Sequence, residues 1–473
     1  MAVSAGIGVV VAAGAAAAAG PWQGGQRTAE RRFAAARDGR DAPAGPTRKS
    51  TSAAGTGRRP AAKPAPAPAD IPDDVPTAAP VLLPADGTSV PLPAGLAATL
   101  AGKLKPLLTA DGMGPVRTGA VVDVSSGTVL YDHQDGTATT PASTTKLATA
   151  TAALGVLGPD KRLTTRVVAA GGNQVVLVGG GDPTLELGQL AKDTAKALKA
   201  AGRTKVSLGY DTSLYSGPTL HPIGHNDNLA PVTALMDDEG RLDGSSSGPA
   251  PRAWDPAADA AGDFAQLLGA QGITVTGPPQ QRNGTHGAVT GSTLATHSSA
   301  PLDDLVERML TNSDNDLAEA LIRQVALASG QPASFSGGAK ATRAALVRYG
   351  VPLPQASFHD GSGLDHDDRL APLTLARLLA LAAGPAHPEL RSVLSGIPVA
   401  DFTGTLATRF QGSPGAGVVH AKTGTLTGTN TIAGTVVTPE GRLLAFSFMT
   451  QGAYDPAATE GALDDLAAAV AVA

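Results

Sequence analysis

The stretch Pro141-Ala142-Ser143-Thr144-Thr145-Lys146-Leu147 opens an Ala/Leu-rich run that reaches Leu157, and it constrains the chain more than any other segment. The run predicts a helix, and residues at i and i+3 share one helix face, so Ser143 and Lys146 project together. A serine hydroxyl is a poor nucleophile until a neighbouring base takes its proton. A lysine can be that base when burial or a helix N-terminus lowers the pKa of its ammonium. Ser-x-x-Lys is therefore a possible nucleophile–base pair on one turn. Alone the spacing means little, because short spacings recur by chance. What matters is whether the rest of the chain supplies what such a pair needs.

The remaining chain divides by texture. Val3 to Gly20 carries no charge and approaches the length of a membrane span or a signal h-region, although a basic segment before it is missing. Arg27, Arg31, Arg32, Arg37 and Arg40 follow, as would suit a cytoplasmic flank. Residues 1–24 are thus expected to be an anchor or export signal. Residues 25–91, with prolines recurring through Pro84 and no apolar periodicity, are expected to form an extended linker. Folded structure is expected from Leu92. Leu96, Leu100, Leu104, Leu107 and Leu108 mark a helix face, and Gly119–Tyr131 reads as a hairpin turning at Ser125-Ser126-Gly127.

Between Lys161 and Ser299 strands and helices mix without an acid–base cluster, which predicts an inserted domain over 165–298. Helical periodicity returns from Leu302 to Leu310 and from Leu317 to Val325, with Thr311–Asn315 as a turn between. Further helices are expected at Ala339–Tyr349 and Leu373–Ala382, on either side of the polar loop His359–Asp368. A meander of strands through Lys422-Thr423-Gly424, Asn430–Val437 and Leu443–Met449 precedes a last helix, Ala462–Val470. The formal net charge of −5 gives no electrostatic footprint for nucleic acid, and zero cysteines exclude disulfides and thiolate metal sites.

Three short motifs then stand in order: Ser143-Thr-Thr-Lys146, Ser313-Asp-Asn315 and Lys422-Thr-Gly-Thr425. Singly, Ser143 could cap its helix, Ser313 and Asn315 could close a turn, and Lys422 could be a solvated strand residue. Together, on a helix start, a helix–helix loop and a terminal strand, they resemble the signature of the penicillin-recognising serine enzymes. Leu177–Leu185, Asp211–Tyr215, Ala234–Asp237, Ser313–Glu319 and Asp360–Leu364 extend the likeness to the D-alanyl-D-alanine carboxypeptidases of the penicillin-binding protein 4 type. The resemblance runs from about Leu92 to the end, with Asp365 standing where the family often has Ser.

That resemblance implies an α/β (α+β) fold of the serine transpeptidase/β-lactamase-like kind, a mainly antiparallel sheet flanked by helices. Its catalytic domain would be 92–164 and 299–473. It implies attack by Ser143 on a D-Ala-D-Ala peptide bond, with Lys146 as base, kept unprotonated by partial burial and by Lys422. Ser313 would relay a proton to the leaving amine, and Asn315 would hold the substrate amide and Lys146. Lys422, Thr423 and Thr425 would take the terminal carboxylate, Gly424 would leave room for substrate, and Asp360 and Ser362 are secondary candidates. Backbone N–H groups of Ser143 and Thr425 would form an oxyanion hole, worth roughly 3–4 kcal/mol per donor. Expected partners are a peptidoglycan stem peptide and β-lactams as covalent inhibitors, with no cofactor, no metal and no nucleic acid, acting outside the cytoplasmic membrane.

Competing readings are weaker. A class A β-lactamase needs a glutamate for deacylation, and no Glu lies between Glu319 and Glu389. Gly244-Ser-Ser-Ser-Gly248 matches G-x-S-x-G, but Pro249 and Pro251 follow where an elbow needs a helix. His359, Asp360, Asp365, His366, Asp367 and Asp368 could hold an incidental metal, without a helical ligand pair to support it. A wall-binding protein that retains only the fold would not need every motif residue intact.

Overall fold

The computed structural model describes residues 92–473, so the expected anchor and linker lie outside the described residues. In chain order come α1 (Leu96–Leu107), β1 (Val116–Asp123), β2 (Val129–His133), α2 (Thr145–Leu157), β3 (Thr164–Ala169), β4 (Gln174–Val178), α3 (Leu187–Ala200) and β5 (Lys205–Asp211). Then follow α4 (Pro256–Ala270), β6 (Thr274–Val275), β7 (Gln280–Gln281), β8 (Ser292–Ser298), α5 (Leu302–Asn312), α6 (Asn315–Ala328) and α7 (Phe335–Arg348). The chain ends with α8 (Pro372–Ala383), α9 (Arg391–Gly396), β9 (His420–Leu426), β10 (Thr429–Val437), β11 (Leu443–Gln451) and α10 (Pro456–Ala471).

Two sheets organise these elements. The first is five-stranded, in the order β2-β1-β11-β10-β9, and every neighbour in it is antiparallel. Strands β10 and β11 are buried on both faces because helices cover the sheet on both sides. On one side Leu100 and Leu104 of α1 and Leu463 and Leu466 of α10 pack against Ile432, Phe446 and Phe448. On the other, Ala433, Ala445 and Met449 meet a core drawn from α2, α5, α6 and α8. The first and last helices of the described residues thus close one face of the sheet.

The second sheet runs β6-β5-β4-β3-β8. It mixes antiparallel pairing of β3 with β4 and β8 and parallel pairing of β4, β5 and β6. Its apolar face packs on α3 and α4 in a core of its own, including Leu177, Leu198, Val206 and Phe264. Helix α4 runs much longer than the apolar segment Phe264–Leu268 suggests. Asp255 accepts a hydrogen bond from the Ala258 N–H, and Pro256 fills the first turn, a start signal set two turns ahead of the apolar residues.

Helix α2 lies at the centre of the larger core. Ten of its thirteen residues are buried, and Lys146 is the only ionisable residue among them. A helix buried all round must be small or apolar on every face, which the Ala/Thr run satisfies. The fold thereby places one lysine in surroundings that disfavour its charge. Among the described residues no helix is long and apolar enough to cross a membrane.

Candidate active site

Ser143 does not sit in the first turn of the α-helix. Residues Ala142–Thr144 form a 3₁₀ turn that leads into α2. Ala142 takes a left-handed φ of 48°, a conformation that strains any side-chain-bearing residue. The turn is tied down at the Pro141 carbonyl, which accepts the hydroxyls of Thr144 at 2.6 Å and of Thr431, on β10, at 2.8 Å. Gly424 faces this turn on β9. A Cβ there would stand 2.7 Å from the Pro141 carbonyl oxygen and 2.9 Å from the Ser143 nitrogen. The glycine lets the strand and the serine turn pack together.

Lys146 is fully buried, and its Nζ has three acceptors on three parts of the chain. It donates to Ser143 Oγ at 3.0 Å, Asn315 Oδ1 at 2.6 Å and the Ser362 carbonyl at 2.7 Å. Burial is the main influence on its pKa and brings it down to about 8, against the opposing pull of Asp360, Asp314, Glu319 and Asp316. Of the two causes expected, partial burial and Lys422, burial is the leading one, and it is complete rather than partial. Lys422, also fully buried, is itself pushed well below the ordinary lysine value, first by burial and then by Lys146. Its Nζ donates to the Thr423 carbonyl at 2.8 Å.

The second motif is a helix junction. Ser313 ends α5 in a left-handed conformation, φ 58°. Asp314 caps α6 by accepting the Leu317 N–H at 3.0 Å, and Asn315 is the first residue of α6. The asparagine is fixed from both ends, because its Nδ2 donates to the Asn228 carbonyl at 2.9 Å. Below it, Asp316 accepts the Ala230 N–H at 3.0 Å and pairs with Arg252 at 3.1 Å.

Asp360 and Ser362 belong to a buried loop rather than to an exposed acidic one. Burial alone would raise Asp360, but His221, Asp368 and the Gly363 N–H bring it down to about 2. Glu319 Oε1 accepts the N–H groups of Gly361 and Ser362, each at 2.9 Å, and Arg323 supports the carboxylate from behind at 3.2 Å. Gly363, at φ 80°, abuts the Ala142 carbonyl so closely that a Cβ would lie 1.9 Å from its oxygen. Sequence reasoning singled out Asp360 and Ser362 as side chains; the contact Ser362 makes with Lys146 is through its backbone.

A cleft of about 430 Å³ opens over these groups, lined by Ser143, Ser313, Asn315, Thr423 and Thr425. Strand β9 is the outer strand of its sheet, an edge of the kind an extended peptide can pair with, although the Ala421 N–H already donates to the Pro398 carbonyl at 2.9 Å and the Thr423 carbonyl accepts Lys422 Nζ. The opposite wall includes Asn228, Arg241, Ser247, Gly248, Pro249 and Arg252, none of which the sequence marked as cleft residues. The G-x-S-x-G match is indeed a loop, with its Ser247 and Gly248 in that wall. Arg409, ion-paired with Asp464, and Thr405, whose hydroxyl lies 2.9 Å from that of Thr423, complete the rim.

Among the described residues, two groups of side chains come close enough to share an ion, His221 with Glu319 and Asp360, and Glu239 with Asp314 and Asp316. Both are already committed. In the first, donors from the loop backbone, His221 and Arg323 occupy the oxygens. In the second, Arg241, Arg252 and Arg308 supply the positive charge.

Comparison with known proteins gives one consistent picture. The chain matches the family described as D-Ala-D-Ala carboxypeptidase 3 (S13) over residues 100–251 and 242–471. It is 36% identical to a carboxypeptidase of Mycobacterium tuberculosis across 78% of this chain and 82% of that one. It is also 36% identical to carboxypeptidase DacB of Mycolicibacterium smegmatis, across 82% and 86%. Among solved structures, penicillin binding protein 4 from Haemophilus influenzae superposes with a TM-score of 0.66, at 23% identity, over 78% of this chain and 98% of that one.

Proposed function

Because the chain belongs to the D-Ala-D-Ala carboxypeptidase 3 (S13) family, it is a serine-type D-Ala-D-Ala carboxypeptidase, and we propose that Ser143 is the nucleophile and Lys146 the base that activates it. The observation that carries this reading is the 3.0 Å contact between Lys146 Nζ and Ser143 Oγ, made by a lysine whose pKa burial has lowered to about 8. A general base works best when its pKa lies near the working pH.

In the proposed sequence, neutral Lys146 takes the Ser143 proton as Oγ bonds to the carbonyl carbon of the penultimate D-Ala. Collapse of the tetrahedral adduct breaks the peptide C–N bond. The proton passes through Ser313 to the leaving amine, D-alanine departs, and the acyl group stays on Oγ. Water then hydrolyses the ester with Lys146 again as base. Asn315 holds Lys146 and offers its amide to the substrate. Lys422 receives the terminal carboxylate beside the hydroxyls of Thr423 and Thr425, and a bound anion restores the lysine's charge. The same geometry supports acylation by β-lactams. We assign the substrate as the stem peptide of peptidoglycan, which puts the enzyme's place of action outside the cytoplasmic membrane.

Ser143→Ala tests the assignment. It should abolish both covalent labelling by a fluorescent penicillin and D-alanine release from a pentapeptide mimic, a loss of roughly 10⁴-fold or more, at an unchanged thermal midpoint. A variant that still carries the label would move the nucleophile elsewhere.

A further inference from the structure

We propose that the segment 212–255, which joins β5 to α4 of the second sheet, holds in place the two groups that orient Lys146, and that His221 is its positioning residue for the loop branch. The proposal rests on the reading of Lys146 as the base. Apart from Ser143, Lys146 donates to Asn315 Oδ1 and to the Ser362 carbonyl, and each can be followed outward to this one segment.

On the first branch, the Asn228 carbonyl fixes the Asn315 amide, so the oxygen of that amide faces Lys146. The next residue, Asp316, is held by the Ala230 N–H and by Arg252. On the second branch, Asp360 organises the loop that presents the Ser362 carbonyl. Its Oδ1 accepts the Gly363 N–H at 2.7 Å, and its Oδ2 accepts the Ser362 hydroxyl, the Asp365 N–H at 2.8 Å and His221 Nε2 at 3.0 Å. Within that set His221 alone comes from the segment. Apolar contact reinforces the branch, since Leu229 and Val232 pack with Leu364 of the loop.

His221 is built for this contact. It is buried, with the Phe335 ring set edge-on at 5.2 Å. Its Nδ1 accepts the Ile223 backbone N–H at 3.2 Å, so the hydrogen shared with Asp360 is carried on Nε2. It does not line the cleft, and so it acts through Asp360 and the Ser362 carbonyl rather than on substrate. The wall of the cleft and the alignment of the base therefore come from the same stretch of chain.

The two ring nitrogens can be tested apart. In His221→Asn the amide oxygen falls where Nδ1 was and can keep the Ile223 contact, but nothing reaches Asp360. In His221→Gln an amide N–H reaches the place of Nε2. Acylation by a chromogenic β-lactam, resolved into noncovalent binding and the acylation rate constant, is read on variants whose thermal unfolding shows them folded. His221→Asn should lose about tenfold or more in the rate constant with binding unchanged, and His221→Gln should return to within about threefold of wild type. A second pair, Asp360→Asn alone and combined with His221→Asn, should show losses that do not add, as for residues in one network. An acylation rate in His221→Asn equal to wild type, a loss confined to binding, a glutamine no better than asparagine, or additive losses would each overturn the proposal. A wild-type protein that does not acylate would instead overturn the Ser143 reading beneath it.

Discussion

Lys146 and Lys422 are both buried without measurable exposure, yet their surroundings differ in kind. A lysine ammonium has three hydrogens to donate and nothing to accept. At Lys146 all three have acceptors, drawn from the serine turn, the start of α6 and the Asp360 loop. At Lys422 the one protein acceptor among the described residues is the carbonyl of its own neighbour. A lysine anchored at three points can keep a fixed 3.0 Å separation from one hydroxyl, as proton transfer demands. A lysine with donors to spare suits a charged ligand. On the proposed reading, the anchored lysine is the working end of the site and the lysine with donors to spare its receiving end.

The largest effect should follow from breaking the anchored end. Lys146→Met keeps the length of the side chain and removes the base, and the acylation rate constant should fall by roughly 10³-fold or more with little change in noncovalent affinity. Rapid-quench mass spectrometry of the acyl-enzyme measures both. A loss in affinity alone would mean that Lys146 binds substrate and that the roles of the two lysines are exchanged.

Breaking the receiving end should cost less and in a different constant. Lys422→Met removes the cation proposed for the terminal carboxylate, and the expected loss is about 10²-fold. It should be largely abolished when the substrate's carboxylate is replaced by an amide. An equal loss on both substrates would remove Lys422 from carboxylate recognition.

A smaller and graded effect tests the protonation of the anchored lysine. Base catalysis needs neutral Lys146, and burial sets its pKa at about 8. The acylation rate should therefore rise about tenfold per pH unit below that value and level off above it. A profile already flat at pH 6 would place the controlling group elsewhere.

The motifs of this site were legible in the sequence because each is local: a spacing on one turn, a tripeptide at a helix junction, four residues on a strand. The apolar face of α5, from Leu302 to Leu310, was legible for the same reason. The partners that set the chemistry were not. Asp316 and Glu319 look like the polar residues of a surface helix, and only tertiary packing against Arg252 and the Asp360 loop makes them interior. The segment 212–255 is rich in Gly, Pro, Asp and Asn and has no period that could point at a cleft, yet it supplies Asn228 and His221. Ala142 gave no hint of a left-handed turn, since the residues that pack on that turn, Thr431 and Gly363, come from elsewhere in the chain.

The smallest expected effect is thermodynamic, and it tests the contrast without reference to substrate. Lys146 releases its proton at about 8 in the folded protein and at about 10.5 in the unfolded chain. Below pH 8 both states are protonated, and this lysine costs the fold about 3 kcal/mol. Between pH 8 and 10.5 the unfolded chain binds the extra proton, so this cost shrinks as pH rises. Methionine removes the cost at either position. At Lys422 it strands one carbonyl at most, so Lys422→Met should unfold a few degrees above wild type at pH 7, as expected when function holds a charge in the interior. At Lys146 it strands Asn315 Oδ1 and the Ser362 carbonyl, and unsatisfied buried acceptors cost about 1–3 kcal/mol each. The gain is then offset, and Lys146→Met should unfold at or below the wild-type midpoint. Calorimetry of the two variants side by side reads the difference. Equal gains in both would show that the acceptors around Lys146 contribute nothing to holding it, and the distinction between an anchored and a receptive lysine would fall with them.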